Sequence, residues 1–370
     1  CRKMKKKTQQ IYTIVVMAVL IFGLSLFALL KPAGDFSESE RRPLEQLPEL
    51  SIKTLLNGDF MDNFEDYTND QFPLRDSFRA VKALAKYYLF GLSDNNELYF
   101  ADGHVAKLDF PLNMESLEYA SDRFNELYET YMKDKVNKVV FTVVPDKGFY
   151  IGEENGYPVM DYDHMISFFK DELPFANHVE IFGLIDENDY YLTDTHWQQQ
   201  SITPVADKIL SALDARPFEN LEEKVATENF HGVYYGQSAL PLKPEKIVYL
   251  TNPELEAMSV FNFETGKTGG IYDFEKLSGK DPYEFYLSGA VPLLEIENPS
   301  AEGERHLIIF RDSFGSSLAP LLMRDYSKIT IIDTRYLLPN FIGNYVDFEG
   351  ADVLMMYSTL ILNDSFIIKK

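Results

Sequence analysis

Hydrophobic and polar positions follow three successive rhythms along this chain. The first is an apolar run without a charge, Ile11 to Leu30. At about 1.5 Å per residue its 20 positions suffice to cross about 30 Å of hydrocarbon. The second, from Ile52 to Leu92, is helical, with Phe60, Phe64 and Tyr67 on one face and Phe78, Val81, Leu84 and Tyr88 continuing the stripe. The third alternates strands with helices. Glu97 to Val105 predicts a hairpin around Asp102-Gly103. Met114–Lys135 predicts an amphipathic helix, and Val139–Val144 a strand apolar enough to be covered on both faces. His164–Leu173 (helix), Val179–Leu184 (strand) and a helix carrying Val205, Ile209 and Leu213 follow, with Thr203-Pro204 as its first turn or a kink. Strands at Leu307–Phe310, Ile329–Ile332 and Val353–Tyr357 complete a doubly wound α/β pattern.

These rhythms divide the chain. Residues 1–10 form a basic segment, 11–30 a transmembrane anchor, and 31–92 a stalk with Pro32, Pro43 and Pro48 plus a helical lead-in. Residues 93–370 form the α/β domain, in which 216–299, rich in Gly, Pro and Tyr, suggests short strands and loops inserted into the core. Arg2, Lys3, Lys5, Lys6 and Lys7 precede the apolar run without an acid, which keeps the amino terminus on the cytoplasmic side of the cell membrane and sends the rest across. A cleaved signal peptide would have a shorter apolar region and a small-residue site, which Leu29-Leu30-Lys31-Pro32 does not offer.

The chain holds 58 Asp and Glu against 35 Lys and Arg, a formal net charge of −23. That balance excludes nucleic acid as a partner and disfavours lying on anionic lipid. Cys1 is the single cysteine, so neither an internal disulfide nor a thiolate metal cluster is available. A lipidated cysteine would follow a signal peptide, whereas Cys1 precedes the basic residues and the span. Gly266-Lys267-Thr268 resembles the end of a phosphate loop but lacks the upstream glycine and the leading strand.

Candidate chemistry lies in two stretches. Thr193-Asp194-Thr195-His196-Trp197 offers an acid and an imidazole two residues apart, which an extended segment would turn to one side. Arg311-Asp312-Ser313-Phe314 ends an apolar strand, and Gly315 onward predicts a helix carrying Leu321, Leu322 and Met323. Acid, imidazole and hydroxyl are the parts of an acyl-transfer triad. The competing reading of Ser313 is a helix N-cap. A metal reading of Asp194 and His196 needs a further ligand that no motif supplies, and neither metal nor cofactor is expected. Asp312 is expected to hold its turn, and Trp197 to fix the loop by packing, with sugar stacking the alternative. Lys147 and Tyr150, after the 139–144 strand, are cleft candidates.

These stretches resemble the DHHW proteins of Gram-positive bacteria, relatives of the SGNH-hydrolase-like proteins that O-acetylate alginate and other polysaccharides. Phe36–Leu44, Phe60–Arg75, Val144-Pro145-Asp146-Lys147 and Ile332-Asp333-Thr334-Arg335-Tyr336 carry the resemblance further, in order, with Arg335 as structural support. It implies an SGNH-hydrolase-like, mostly parallel sheet. It also implies Ser313 as nucleophile, His196 as proton shuttle, Asp194 as its orienter, and a membrane-bound O-acyltransferase partner that delivers the acyl group. The chain departs from the pattern where relatives show Gly-Gly-Asn, having Ser288-Gly289-Ala290, and where they carry Asn near Ser316 or Ser317. Backbone N–H groups of Ser313 and Gly289 are then the oxyanion candidates; one lost donor costs on the order of 10²–10³ in rate. The expected activity is extracytoplasmic O-acyl transfer to a cell-surface polysaccharide. A carbohydrate esterase and a weak or inactive glycan-binding scaffold are the alternatives.

Overall fold

The computed structural model describes residues 2–37 and 39–370, of which 2–6, 20, 25 and 29 by backbone alone. Cys1, and Glu38 within the Phe36–Leu44 motif, lie outside the described residues. The chain divides into two compact units, one reaching Leu92 and including Ala239–Pro241, the other Ser93–Ser238 with Leu242–Lys370.

In the first unit, Lys7–Ala28 is a helix of 22 residues with a mean hydropathy of 2.5 over an 18-residue stretch of it, long and apolar enough to cross a membrane. Helices Ile52–Asn57, Asp59–Asp70 and Arg75–Leu84 follow. Ser51 and Thr54 form a reciprocal cap on the first, and Gly58, at φ +92°, makes the left-handed break before the second. Phe60 stacks on Phe64 at 5.8 Å, and Phe64 meets Tyr67 at 6.1 Å, as the spacing predicts. The two motifs of this unit are joined by charge. Arg42 grips Asp70 with two bonds of 2.7 and 2.6 Å, holding the Asp70 carboxyl down at about 2, and Arg75 reaches Glu40 at 2.5 Å.

The second unit is built on one eight-stranded sheet. Its strands are β1 (Lys138–Val144), β2 (Asn177–His178), β3 (Ser259–Asn262), β4 (Lys267–Gly269), β5 (Leu293–Glu297), β6 (His306–Arg311), β7 (Lys328–Ile332) and β8 (Asp352–Ser358). The order is β4-β3-β5-β7-β6-β8-β1-β2, parallel from β7 to β2 and antiparallel from β4 to β7. Alternate strand residues serve opposite cores. Leu307, Ile309, Val140 and Leu354 pack with Val205 and Ile209 on one face, while Ile308, Phe310, Phe141 and Met355 pack with Leu117, Phe124 and Phe169 on the other. Both faces being covered, the central strands are mostly apolar, in the mixed α/β architecture expected.

Several elements differ from expectation. No strand forms at Val179–Leu184: the two-residue β2 ends just before it, at His178, and Phe182–Leu184 is a 3₁₀ turn. The Thr142 hydroxyl bonds Val179 O at 2.8 Å, taking the carbonyl that a longer ladder would use. The helix after Ser313 is a single α-turn, Gly315–Leu318, tightening to 3₁₀ at Ala319–Leu322, because Pro320 brings no N–H donor. Residues 216–299 form short strands and loops, as expected, but these are not all an insertion beside the core. Besides an antiparallel hairpin of Glu222–Phe230 with Glu245–Thr251, they supply β3, β4 and β5 to the sheet. Gly266 sits in the exposed turn entering β4 and Lys267 and Thr268 lie in that edge strand, where no helix follows to cradle a phosphate.

Candidate active site

The register Met356↔Arg311 and Ser358↔Val144 brings the carboxyl ends of β6, β8 and β1 to one edge of the sheet, where open α/β folds place ligands. The turn leaving β6 is fastened by Asp312. Its fully buried carboxylate accepts Phe314 N–H at 3.0 Å and Ser358 N–H at 2.7 Å, tying the turn to the end of β8. Gly315 allows the chain to fold back: a Cβ there would lie 2.8 Å from Arg311 Cβ. Within Arg311–Leu322 every residue is buried except Ser313, which is half-buried. Its hydroxyl does not cap the short helix, whose cap position is Phe314 without a side-chain bond. It lies 2.7 Å from His196 Nε2 instead.

His196 and Asp194 are presented by a turn, not by the extended segment expected. Tyr191 N–H bonds His196 O at 3.1 Å, closing residues 191–196. Asp194 Oδ1 then accepts both His196 N–H (3.1 Å) and the imidazole Nδ1 (2.5 Å). With its proton directed at Asp194 from Nδ1, the ring presents Nε2 as acceptor to Ser313. Asp194 Oδ2 accepts Val233 N–H at 2.8 Å, so three N–H donors balance this buried carboxylate. The helix Val233–Ser238 approaches so closely because Gly232 has no side chain; a Cβ there would stand 2.3 Å from Thr193 O and 2.4 Å from Asp194 Cα. The imidazole lies flat on Tyr283, with ring centres 3.8 Å apart and planes 5° from parallel. Tyr283 OH in turn reaches Ser317 Oγ at 3.0 Å, and burial pushes its phenol well above the usual range. Gly232, Val233 and Tyr283 all come from residues 216–299 and were not singled out from sequence. A glycine's close approach to a loop 39 positions earlier leaves no local pattern.

The other sequence candidates take specific posts. Trp197 is fully buried, its Nε1 donating to Ser317 Oγ at 2.9 Å, so no ring face is open to a sugar. Gly289 N–H is given to Tyr286 O at 3.2 Å and its carbonyl receives Arg311 Nη2 at 3.1 Å, which removes Gly289 from the oxyanion donors. Ser313 N–H has no acceptor among the described residues and keeps that role open. The four-residue helix lends it little dipole. Where relatives carry Asn, Ser317 is engaged by Trp197 and Tyr283, and Ser316 Oγ is buried with no partner among the described residues. Arg335 holds Asp333 with two bonds of 2.9 and 2.7 Å, and Asp333 lies 3.7 Å from Arg311. Tyr150 OH donates to Phe182 O at 3.0 Å. Lys147 is buried rather than at the rim; its ammonium donates to Tyr191 O (3.0 Å) and Leu192 O (3.2 Å). Burial lowers it to about 7, against the pull of Asp194, Glu245 and Asp146.

No family model and no curated protein matches the sequence. The fold, however, is that of a DHHW family protein from Eubacterium siraeum (TM-score 0.60, 21% identity, covering 73% of this chain and 93% of that one). PatB1 from Bacillus cereus, solved with a sulfonyl adduct, shares it as well (TM-score 0.57, 17% identity, 74% and 98% covered). The same protein without the adduct superposes at 0.54. The likeness expected from the motifs is thus present in the architecture.

Proposed function

We propose that this chain is an O-acyltransferase of the SGNH-hydrolase-like kind, acting through an acyl-serine at Ser313 on a hydroxyl of a cell-surface polysaccharide. The observation that carries the reading is the unbroken contact from Asp194 through His196 to Ser313, at 2.5 and 2.7 Å. His196 Nε2 takes the hydroxyl proton as Ser313 Oγ attacks the acyl carbonyl. Ser313 N–H faces the developing oxyanion, and the imidazolium returns the proton to the leaving group. A sugar hydroxyl then attacks the acyl-serine, again giving its proton to His196, and the ester passes to the glycan as Ser313 is restored. Asp194 stabilises the imidazolium in both halves.

The sugar and the donor follow from the motif resemblance, which implies a polysaccharide acceptor and a membrane-bound acyltransferase as source of the acyl group. The Lys7–Ala28 helix, with basic residues before it, supports an anchored topology with the site outside the cell. The test uses the whole chain in detergent with a small acetyl ester and an oligosaccharide acceptor. Acetylated oligosaccharide formed by wild type and by neither Ser313→Ala nor His196→Ala is the expected result. Hydrolysis without transfer marks an esterase, and equal background in all three proteins overturns acyl chemistry.

A further inference from the structure

The Asp194–His196 pair sits on a turn belonging to no strand or long helix, yet serine activation tolerates only small errors in imidazole position. What holds that turn is a donor side chain on one side and an acceptor side chain on the other. From the core side, Lys147, the first residue of the helix Lys147–Ile151, inserts its ammonium beneath residues 191–192 and donates to both carbonyls. From the hairpin side, Glu245, the first residue of Glu245–Thr251, accepts Leu192 N–H at 2.6 Å, Thr193 N–H at 2.9 Å and Thr193 Oγ1 at 2.8 Å. Donor and acceptor therefore grip one short stretch of backbone through groups of opposite polarity. Such a grip fixes the tilt of the peptide planes as well as their place. Tyr234 covers the ammonium, with its ring centre 5.3 Å away, and Val105 N–H adds a bond to Leu192 O at 2.8 Å. None of these contacts reaches Ser313.

We propose that Lys147 and Glu245 are a positioning pair for the Asp194–His196 dyad, setting the imidazole against Ser313 by clamping the backbone of residues 191–193. The proposal rests on the acyl-serine reading for its consequence in rate, but not for its geometric content. A lysine adrift at the rim would act on substrate; this one acts only through the loop.

The test compares Lys147→Met, Glu245→Gln and the double variant with wild type, as whole chains in detergent. Three readouts are taken: the rate at which phenylmethylsulfonyl fluoride modifies Ser313, followed by mass; the far-downfield proton resonance of the His196 Nδ1–H···Asp194 bond; and the melting temperature. In folded single variants the clamp predicts about 10- to 100-fold slower modification and a shifted or broadened downfield proton. Because both residues act on one segment, the double variant loses little beyond either single one. Folded variants with wild-type modification rates and an unchanged downfield proton overturn the proposal, and so do losses that multiply independently. If Lys147→Met does not fold, Glu245→Gln, altering one atom at a half-buried position, decides alone. Should wild-type Ser313 resist the reagent, the acyl-serine reading falls, and the downfield proton still decides whether the pair positions His196.

Discussion

Gly232→Ala isolates the contact between the hairpin region and the catalytic acid candidate. The new methyl would stand 2.3 Å from Thr193 O and 2.4 Å from Asp194 Cα, both backbone positions that cannot rotate away. Ordinary contact needs about 3.5 Å, so the two segments must part by about 1 Å. Val233 N–H, now 2.8 Å from Asp194 Oδ2, would then lie beyond hydrogen-bonding reach. A charge-assisted bond lost at a buried carboxylate costs about 1.5–3 kcal/mol. A shift of about 1 Å in the dyad costs roughly 10²-fold in rate. The assay is acetyl-ester turnover alongside chemical denaturation, with Gly183→Ala as control because a methyl there meets nothing within 4 Å. Gly232→Ala is expected to lose about 100-fold in kcat and about 2 kcal/mol in stability, while the control stays near wild type. Wild-type turnover in Gly232→Ala would refute the argument that this approach sets the acid in place.

Other outcomes follow from the same geometry. Ser317→Ala strands the buried Trp197 N–H and Tyr283 O–H together and is expected to cost about 2–4 kcal/mol in urea unfolding. Tyr283→Phe keeps the flat platform under His196 and is expected to retain kcat, whereas Tyr283→Leu is expected to lower it roughly 2- to 10-fold through lost stacking. Burial holds His104 and His306 down at about 4, below their usual 6.5. The unfolded chain therefore binds protons first as pH falls, and the stability these rings contribute, intact above 6.5, is lost by pH 4. Allowing for partial exposure, the pair is expected to account for on the order of 2–4 kcal/mol at pH 5, read from denaturation midpoints between pH 7 and 4.

The parts of this molecule legible in its sequence are those whose cause is local. Leu307–Phe310 and Val353–Tyr357 announce themselves as central strands because a sheet covered on both faces demands unbroken apolar runs. Asp194 and His196 read as a pair because two positions suffice for an aspartate to reach both the backbone and the ring of the histidine. Ser313 stands 117 positions from His196, and no periodicity announces that contact; the motif resemblance suggested it. Long-range partners left no trace. Gly232 looks like a loop glycine until Asp194 is seen against it, and Lys147 looks like a rim lysine until the carbonyls of 191–192 are seen above it. Val179–Leu184 misled because a β-prone composition does not disclose that Thr142 has already claimed a ladder carbonyl.

The half-buried Ser313 within an otherwise sealed stretch bears on how this protein would tolerate variation. A saturation library over positions 311–322, sorted once for surviving fold and once for turnover, should yield two unlike maps. Eleven positions would be intolerant in the first sort, since each packs inside the molecule. At 313, if the proposed acyl-serine forms, small replacements such as alanine should pass the first sort and fail the second, because the hydroxyl meets His196 and caps no helix.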